Sequence, residues 1–126
     1  MKIPTELKYT KTHEWIQFES ETTALIGITD YAQEALGDIV FVNLPEAGDT
    51  VTAEEAFGDT ESVKAVSDLI SPVSATVVES NEELLDSPEK INEDCYGAWM
   101  IKVEDITDSE ELMDAEAYIE YLKTQE

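Results

Sequence analysis

Apolar positions along the first two thirds of the chain fall in short runs with the period of strands. In HEWIQFE (13–19), Trp15 falls on one face and Ile16 and Phe18 on the other, and TTALIGI (22–28) is β-branched and apolar. DIVFVNLP follows and stops at Pro45, after which AGDTV supplies turn chemistry at Gly48-Asp49. FGDTESV and AVSDLISPV flank Lys64, and SATVVES and GAWMIKVE complete the set. Strands this short at this spacing predict a small barrel or sandwich.

Two helical patterns interrupt the strands. TDYAQEALG has Asp30 as its expected N-cap, Gln33 as the capping-box partner three residues on, and Gly37 as a stop. TDSEELMDAEAYIEYLK places Leu112, Ala115, Ile119 and Leu122 on one face, which predicts an amphipathic C-terminal helix packed on the strands. The acidic stretch ESNEELLDSPEKINED (79–94) reads as an exposed loop with a turn of helix at its start. No linker, low-complexity segment or clear repeat appears, so residues 1–126 are expected to form one domain.

Charge narrows the range of partners. Thirty Asp and Glu stand against seven Lys and no Arg, a net charge of −23 that would repel nucleic acid and anionic membrane surfaces. The apolar patterning argues against disorder at this charge. One cysteine, Cys95, cannot form an internal disulfide. No apolar run approaches the roughly 18 residues of a membrane span, and MKIPTELKYTK resembles neither a signal peptide nor a transit segment. The expectation is a cytoplasmic protein, without membrane or nucleic-acid partners.

The parts of an enzyme are missing. Any Ser-His-Asp or Cys-His arrangement would have to use His13, the single histidine, and nothing places Cys95 or a serine beside it. One Cys and one His do not make a zinc site, and neither a phosphate-binding glycine loop nor a calcium loop is present. No catalytic or metal-ligating residue is expected. Lys64 is the conspicuous residue: within GDTESVKAVSD it is the only lysine between Lys11 and Lys90. Small and β-branched residues surround it at what reads as the reversal of a hairpin. Spacing alone leaves two readings, an ordinary surface lysine or an amine presented for modification.

Longer strings decide more. YTKTHEWIQFE, GITDYAQEALGDIVFVNLPEAGD, FGDTESVKAVSDLISPVSATVVESN and INEDCYGAWMIKV, in that order, resemble the glycine cleavage system H proteins over about residues 8–122. The resemblance implies a mainly β fold, a flattened antiparallel barrel or sandwich of the lipoyl-domain type, with a short helix after the third strand and a C-terminal helix. It implies that Lys64 carries lipoic acid in amide linkage, with Glu61, Val63 and Ala65 recognised by the lipoate-attaching enzyme. Biotin carriers typically have Met on both sides of the lysine, and lipoyl domains of 2-oxoacid dehydrogenases usually have Asp before it; here Val63 and Ala65 flank it.

The implied role is a non-catalytic lipoyl carrier. It would take the aminomethyl group of glycine from the pyridoxal-phosphate glycine decarboxylase (the P protein) to the aminomethyltransferase (the T protein). Electrons would pass to dihydrolipoyl dehydrogenase (the L protein). The alternative implied job is that of a lipoyl donor to 2-oxoacid dehydrogenases. The loaded arm would dock in a cleft at Thr12, Glu14 and Asp68 with Ile28 in its apolar wall. The chain departs from the family pattern in three places. Ala75 replaces a glycine that, with Glu61, helps present the lysine; Asp59 and Thr60 stand where apolar residues are usual; and Cys95 replaces a proline in a segment one residue short.

Overall fold

The computed structural model describes residues 1–125. The strands are β1 (Lys8–Tyr9), β2 (Glu14–Phe18), β3 (Ala24–Ile28), β4 (Ile39–Asn43), β5 (Thr50–Val51), β6 (Ala56–Ser62), β7 (Val66–Ile70), β8 (Val73–Ser80) and β9 (Ile101–Ser109). Between and after them lie the helices α1 (Asp30–Leu36), α2 (Glu83–Asp86), α3 (Lys90–Glu93) and α4 (Ala115–Lys123). All pairings are antiparallel. They make a six-stranded sheet in the order β1-β2-β3-β9-β8-β5 and a three-stranded sheet in the order β4-β6-β7. The expected mainly β fold is present as a flattened sandwich, and the two sheets do not close into a barrel.

The six-stranded sheet is buried on both faces around β2. Ile16 faces Ile26 across β2–β3 and joins Val77, Ile101 and Val103 in one core. Trp15, one residue earlier, points the other way into a second core with Tyr9, Tyr118 and Leu122, and its Nε1–H donates to the Cys95 carbonyl at 3.1 Å. Gly27 lies opposite Trp15; a Cβ there would come within 2.7 Å of the indole, so the ring requires a residue without a side chain. Phe18 shares the Ile16 face but is 42% exposed at the strand end, beyond the core. A third cluster links the sheets. Ile28 of β3 meets Ile39 and Val42 of β4 and Leu69 of β7, with Leu84 of α2 and Ile91 of α3 beneath them.

Three helical expectations change. The N-cap of α1 is Thr29, not Asp30: the Thr29 backbone is still extended and its hydroxyl accepts the Ala32 N–H at 3.3 Å. Asp30 is already helical and accepts from Gln33 Nε2 at 2.7 Å. The C-terminal helix begins at Ala115, capped by Asp114, because Thr107, Asp108 and Ser109 continue β9 alongside β8, while Leu112 precedes the helix. Its buried face is Ala115, Tyr118 and Leu122, and Ile119 is 40% exposed. Tyr118 takes the central position by stacking on Tyr9, centroids 4.7 Å apart and nearly parallel. The acidic 79–94 stretch is not a loop throughout, since it holds α2 and α3, each pinned by one fully buried side chain, Leu84 and Ile91. Gly37 ends α1 as expected, with φ 77° and its N–H on the Gln33 carbonyl.

Candidate functional site: the Lys64 hairpin and the Glu14 cluster

β6 and β7 pair from Ala56↔Ile70 to Glu61↔Val66, and the chain reverses through Val63, Lys64 and Ala65. Ser62 sets the reversal. Its hydroxyl oxygen accepts the N–H of Lys64 and of Ala65, each at 3.1 Å, and its own N–H donates to the Ala65 carbonyl at 2.8 Å. The tip stands clear of the core: Val63 is 69% and Val66 66% exposed, and Lys64, Ala65 and Glu61 are exposed with them. Among the described residues, Lys64 pairs with no carboxylate, whereas Lys90, Lys102 and Lys123 each do. The Val63 N–H donates to the Asp38 carbonyl at 3.2 Å. The lysine stem also lies over Gly37, where a Cβ would stand 3.4 Å from Lys64 Cε.

Thr12, Glu14 and Ile28 come together at the end of the β2–β3 pair. Glu14 and Ile28 are register partners, and both are buried, at 2% and 3% exposure. One Glu14 carboxyl oxygen accepts from the Thr10 hydroxyl at 2.8 Å and from the Thr12 hydroxyl. The other lies 3.4 Å from the Ile70 N–H of β7. Glu14 therefore bridges the six-stranded sheet to the strand that leads away from Lys64. Burial pushes its pKa up to about 7, against the opposing pull of its bonds from Thr12, Thr10 and Ile70, with Glu110 nearby adding to the rise.

Asp68 does not join this group directly. It is exposed, paired with Asp59 across β6–β7, and Asp59 accepts from Asn43 Nδ2 at 2.8 Å. The residues on either side of Asp68 face away from it, so Leu69 enters the core while Asp68 points outward.

The departures from the family pattern fall in different places. Thr60 is fully buried and Asp59 half-buried. Ala75 is buried in β8 opposite Val51, in the six-stranded sheet and not in the sheet that carries the hairpin. Cys95 is 6% exposed, and burial pushes its thiol up to about 12, far from a reactive thiolate. His13 holds Nδ1 2.8 Å from the Tyr118 hydroxyl, and burial lowers its pKa. Reading the sequence missed Ser62 and Asp38. A serine two residues before the lysine is a weak signal for a side-chain turn, whereas Asp38 contributes only its carbonyl and leaves no trace in the side chains.

The chain matches the family model "Glycine cleavage H-protein" over residues 7–125. It belongs to the glycine cleavage H-protein family. It is 58% identical over 123 residues to the glycine cleavage system H protein of Lachnoclostridium phytofermentans, covering 98% of this chain and 97% of that one. It is 57% identical over 125 residues to that of Staphylococcus saprophyticus, covering 97% and 98%. The crystal structure of a glycine cleavage system H protein from Mycobacterium marinum superposes with a TM-score of 0.87 at 45% identity, covering 98% of both chains. Members of this family are non-catalytic carrier subunits of the glycine cleavage system, and the chain is such a subunit. Among the described residues, no helix is long and apolar enough to cross a membrane.

Proposed function

We propose that Lys64 is the lipoylated residue and that the chain carries the aminomethyl group of glycine from the P protein to the T protein, and electrons to the L protein, in the cytoplasm. The observation that carries this reading is the isolated amine on an exposed three-residue tip, without a carboxylate partner among the described residues. Attachment requires such an amine: Nζ, once it has lost a proton, attacks the acyl carbon of adenylated lipoate, the C–N bond forms, and AMP leaves with the C–O electrons. Nothing around Lys64 would have to unfold for this to happen. When bound, the group supplies a dithiolane that accepts a one-carbon fragment and two electrons.

The remaining roles belong to the chain itself. Glu61, Val63 and Ala65 frame the lysine for the attaching enzyme. Phe41, Glu61 and Val66 stand in register on one face of the three-stranded sheet, and Phe41 and Val66 are 48% and 66% exposed. A partner that approaches Lys64 meets this row beside the tip. Thr12, Glu14 and Ile28 form the wall against which the loaded arm rests, with Asp68 adding negative charge from the outer side of β7. The Asp68 carboxylate favours an ammonium end, the buried Glu14 adds a hydrogen-bonding carboxyl group, and partial enclosure limits attack by water.

Incubation with a lipoate ligase, lipoate and ATP, followed by peptide mass spectrometry, tests the assignment. The expected result is one lipoyl group per chain, on Lys64. Lipoyl mass on Lys90 or Lys102 in its place overturns it.

A further inference from the structure

We infer that Asn92, far from the hairpin in sequence, is the residue that holds the Lys64 tip in place for its partner enzymes. This rests on reading Lys64 as the modified lysine.

Asn92 sits on α3, whose preceding residue Ile91 is fully buried beneath both sheets. From that anchored position the side chain makes three bonds to a single segment. Nδ2 donates to the Gly37 carbonyl at 2.9 Å and to Gln33 Oε1 at 3.0 Å, and Oδ1 accepts the Ile39 N–H at 2.9 Å. Two of these partners are backbone groups of fixed character, a carbonyl that needs a donor and an N–H that needs an acceptor. They set the orientation of the amide without ambiguity.

Beyond Ile39, which is buried in the cluster between the sheets and pairs with Ser62, the segment has few other ties. Gly37 has left the helix at φ 77°, and the β4–β6 ladder is irregular between Ile39 and Phe41. The last turn of α1 has no basic side chain to cap its carbonyls. Asn92 satisfies the groups on both sides of Asp38, and Asp38 in turn gives its carbonyl to the Val63 N–H at the tip. Gly37, whose carbonyl Asn92 bonds, is the surface under the lysine stem. The path from a buried anchor to the modified residue is continuous: Ile91, Asn92, the 37–39 turn, Val63 and Lys64.

The consequence is preorganisation. A tip without a core of its own loses conformational freedom when an enzyme grips it, and restricting it beforehand reduces that cost. Asn92 acts through the turn and touches no reacting atom, so its loss should weaken docking and leave chemistry intact.

The test compares Asn92→Ala and Asn92→Asp with Asn81→Ala. Asn92→Asp keeps the acceptor for Ile39 but sets an oxygen against the Gly37 carbonyl, so it provides a second variant should the alanine change fail to fold. Asn81 donates to the Trp99 carbonyl at 2.8 Å and bonds nothing in the hairpin, so its variant controls for a general loss of stability. For both Asn92 variants, KM for the carrier in the lipoate ligase reaction should rise roughly tenfold, the scale of one lost hydrogen bond. Their kcat should stay near wild type, and the Val63 amide should exchange faster with solvent. Asn81→Ala should change neither KM nor Val63 exchange. Wild-type KM and wild-type Val63 exchange in the Asn92 variants overturn the inference, as does an equal rise of KM in Asn81→Ala. If the wild-type chain takes no lipoyl group at Lys64, the reading of Lys64 fails instead. Val63 exchange then still decides whether Asn92 holds the tip.

Discussion

Glu14 is the residue whose environment departs furthest from what its type suggests. A carboxyl group that is 2% exposed, with two threonine hydroxyls and a backbone N–H around it, titrates near neutrality because burial outweighs those bonds. Its folded pKa, about 7, lies above the ordinary 4.5, so the fold binds this proton more tightly than the unfolded chain does. Its contribution to stability is fully present below about pH 4.5 and is lost as pH rises to about 7. His13 has the opposite sign, since burial favours its neutral form and acidification below its ordinary value of 6.5 costs stability. A difference between variants isolates Glu14, because His13 and the surface acids cancel. Glu14→Gln should gain stability relative to wild type from pH 4.5 to 7 in urea titrations, by a few kcal/mol at most, and a pH-independent difference would show that the carboxyl is not held protonated. The proposed cleft role is tested separately. The Glu14→Ala, Asp68→Ala double variant should release ammonia faster from the loaded carrier while Lys64 is still lipoylated; an unchanged release rate would show that these acids do not protect the arm.

At the scale of elements, the junction of α1 and α4 is set by one hydroxyl. Thr29 caps α1 at 3.3 Å and lies 2.8 Å from the Tyr118 hydroxyl, which in turn lies 2.8 Å from His13 Nδ1. Thr29→Ala removes both the cap and a buried partner, so it should cost about 1–2 kcal/mol in chemical denaturation, with Asp30→Ala costing clearly less. Equal losses would return the capping role to Asp30. TDYAQEALG shows a helix and its glycine stop clearly in sequence. It does not show which of two adjacent capping residues is still extended, because that depends on where β3 ends. The C-terminal helix is similar: Leu112, Ala115, Ile119 and Leu122 have helical spacing. Tyr118 takes the buried position because Tyr9, more than a hundred residues earlier in the chain, offers it a ring to stack on.

For the whole molecule, the charge of −23 surrounds a lysine tip that itself bears apolar side chains. Asp59 and Asp68 face each other across β6–β7, an arrangement that costs stability in a sheet and concentrates negative potential beside the docking row. Exposed charges are screened beyond about 8 Å at physiological ionic strength, so association with the proposed partners, the P and T proteins, should slow as salt rises. Stopped-flow association rates over a range of salt concentrations check this, and rates independent of salt would remove electrostatic steering from the account.

The sequence by itself determined the short strands, the turn at Gly48-Asp49, the stop at Gly37, the solitary Lys64 and the family. Each of these signals is written in residues that are near one another or in strings long enough to be specific. Tertiary structure alone decided which acids are buried and which parts of the chain support the tip. Glu14 and Asp68 are both acids beside apolar neighbours, but Glu14 meets the Ile70 N–H from 56 positions away and is enclosed, while Asp68 faces solvent. Asn92 lies in an acidic stretch that reads as loop, and its partner Gly37 is 55 positions away. Neither spacing nor composition carries these pairings, because burial and hydrogen-bond partnership arise only when the two sheets and the short helices pack together.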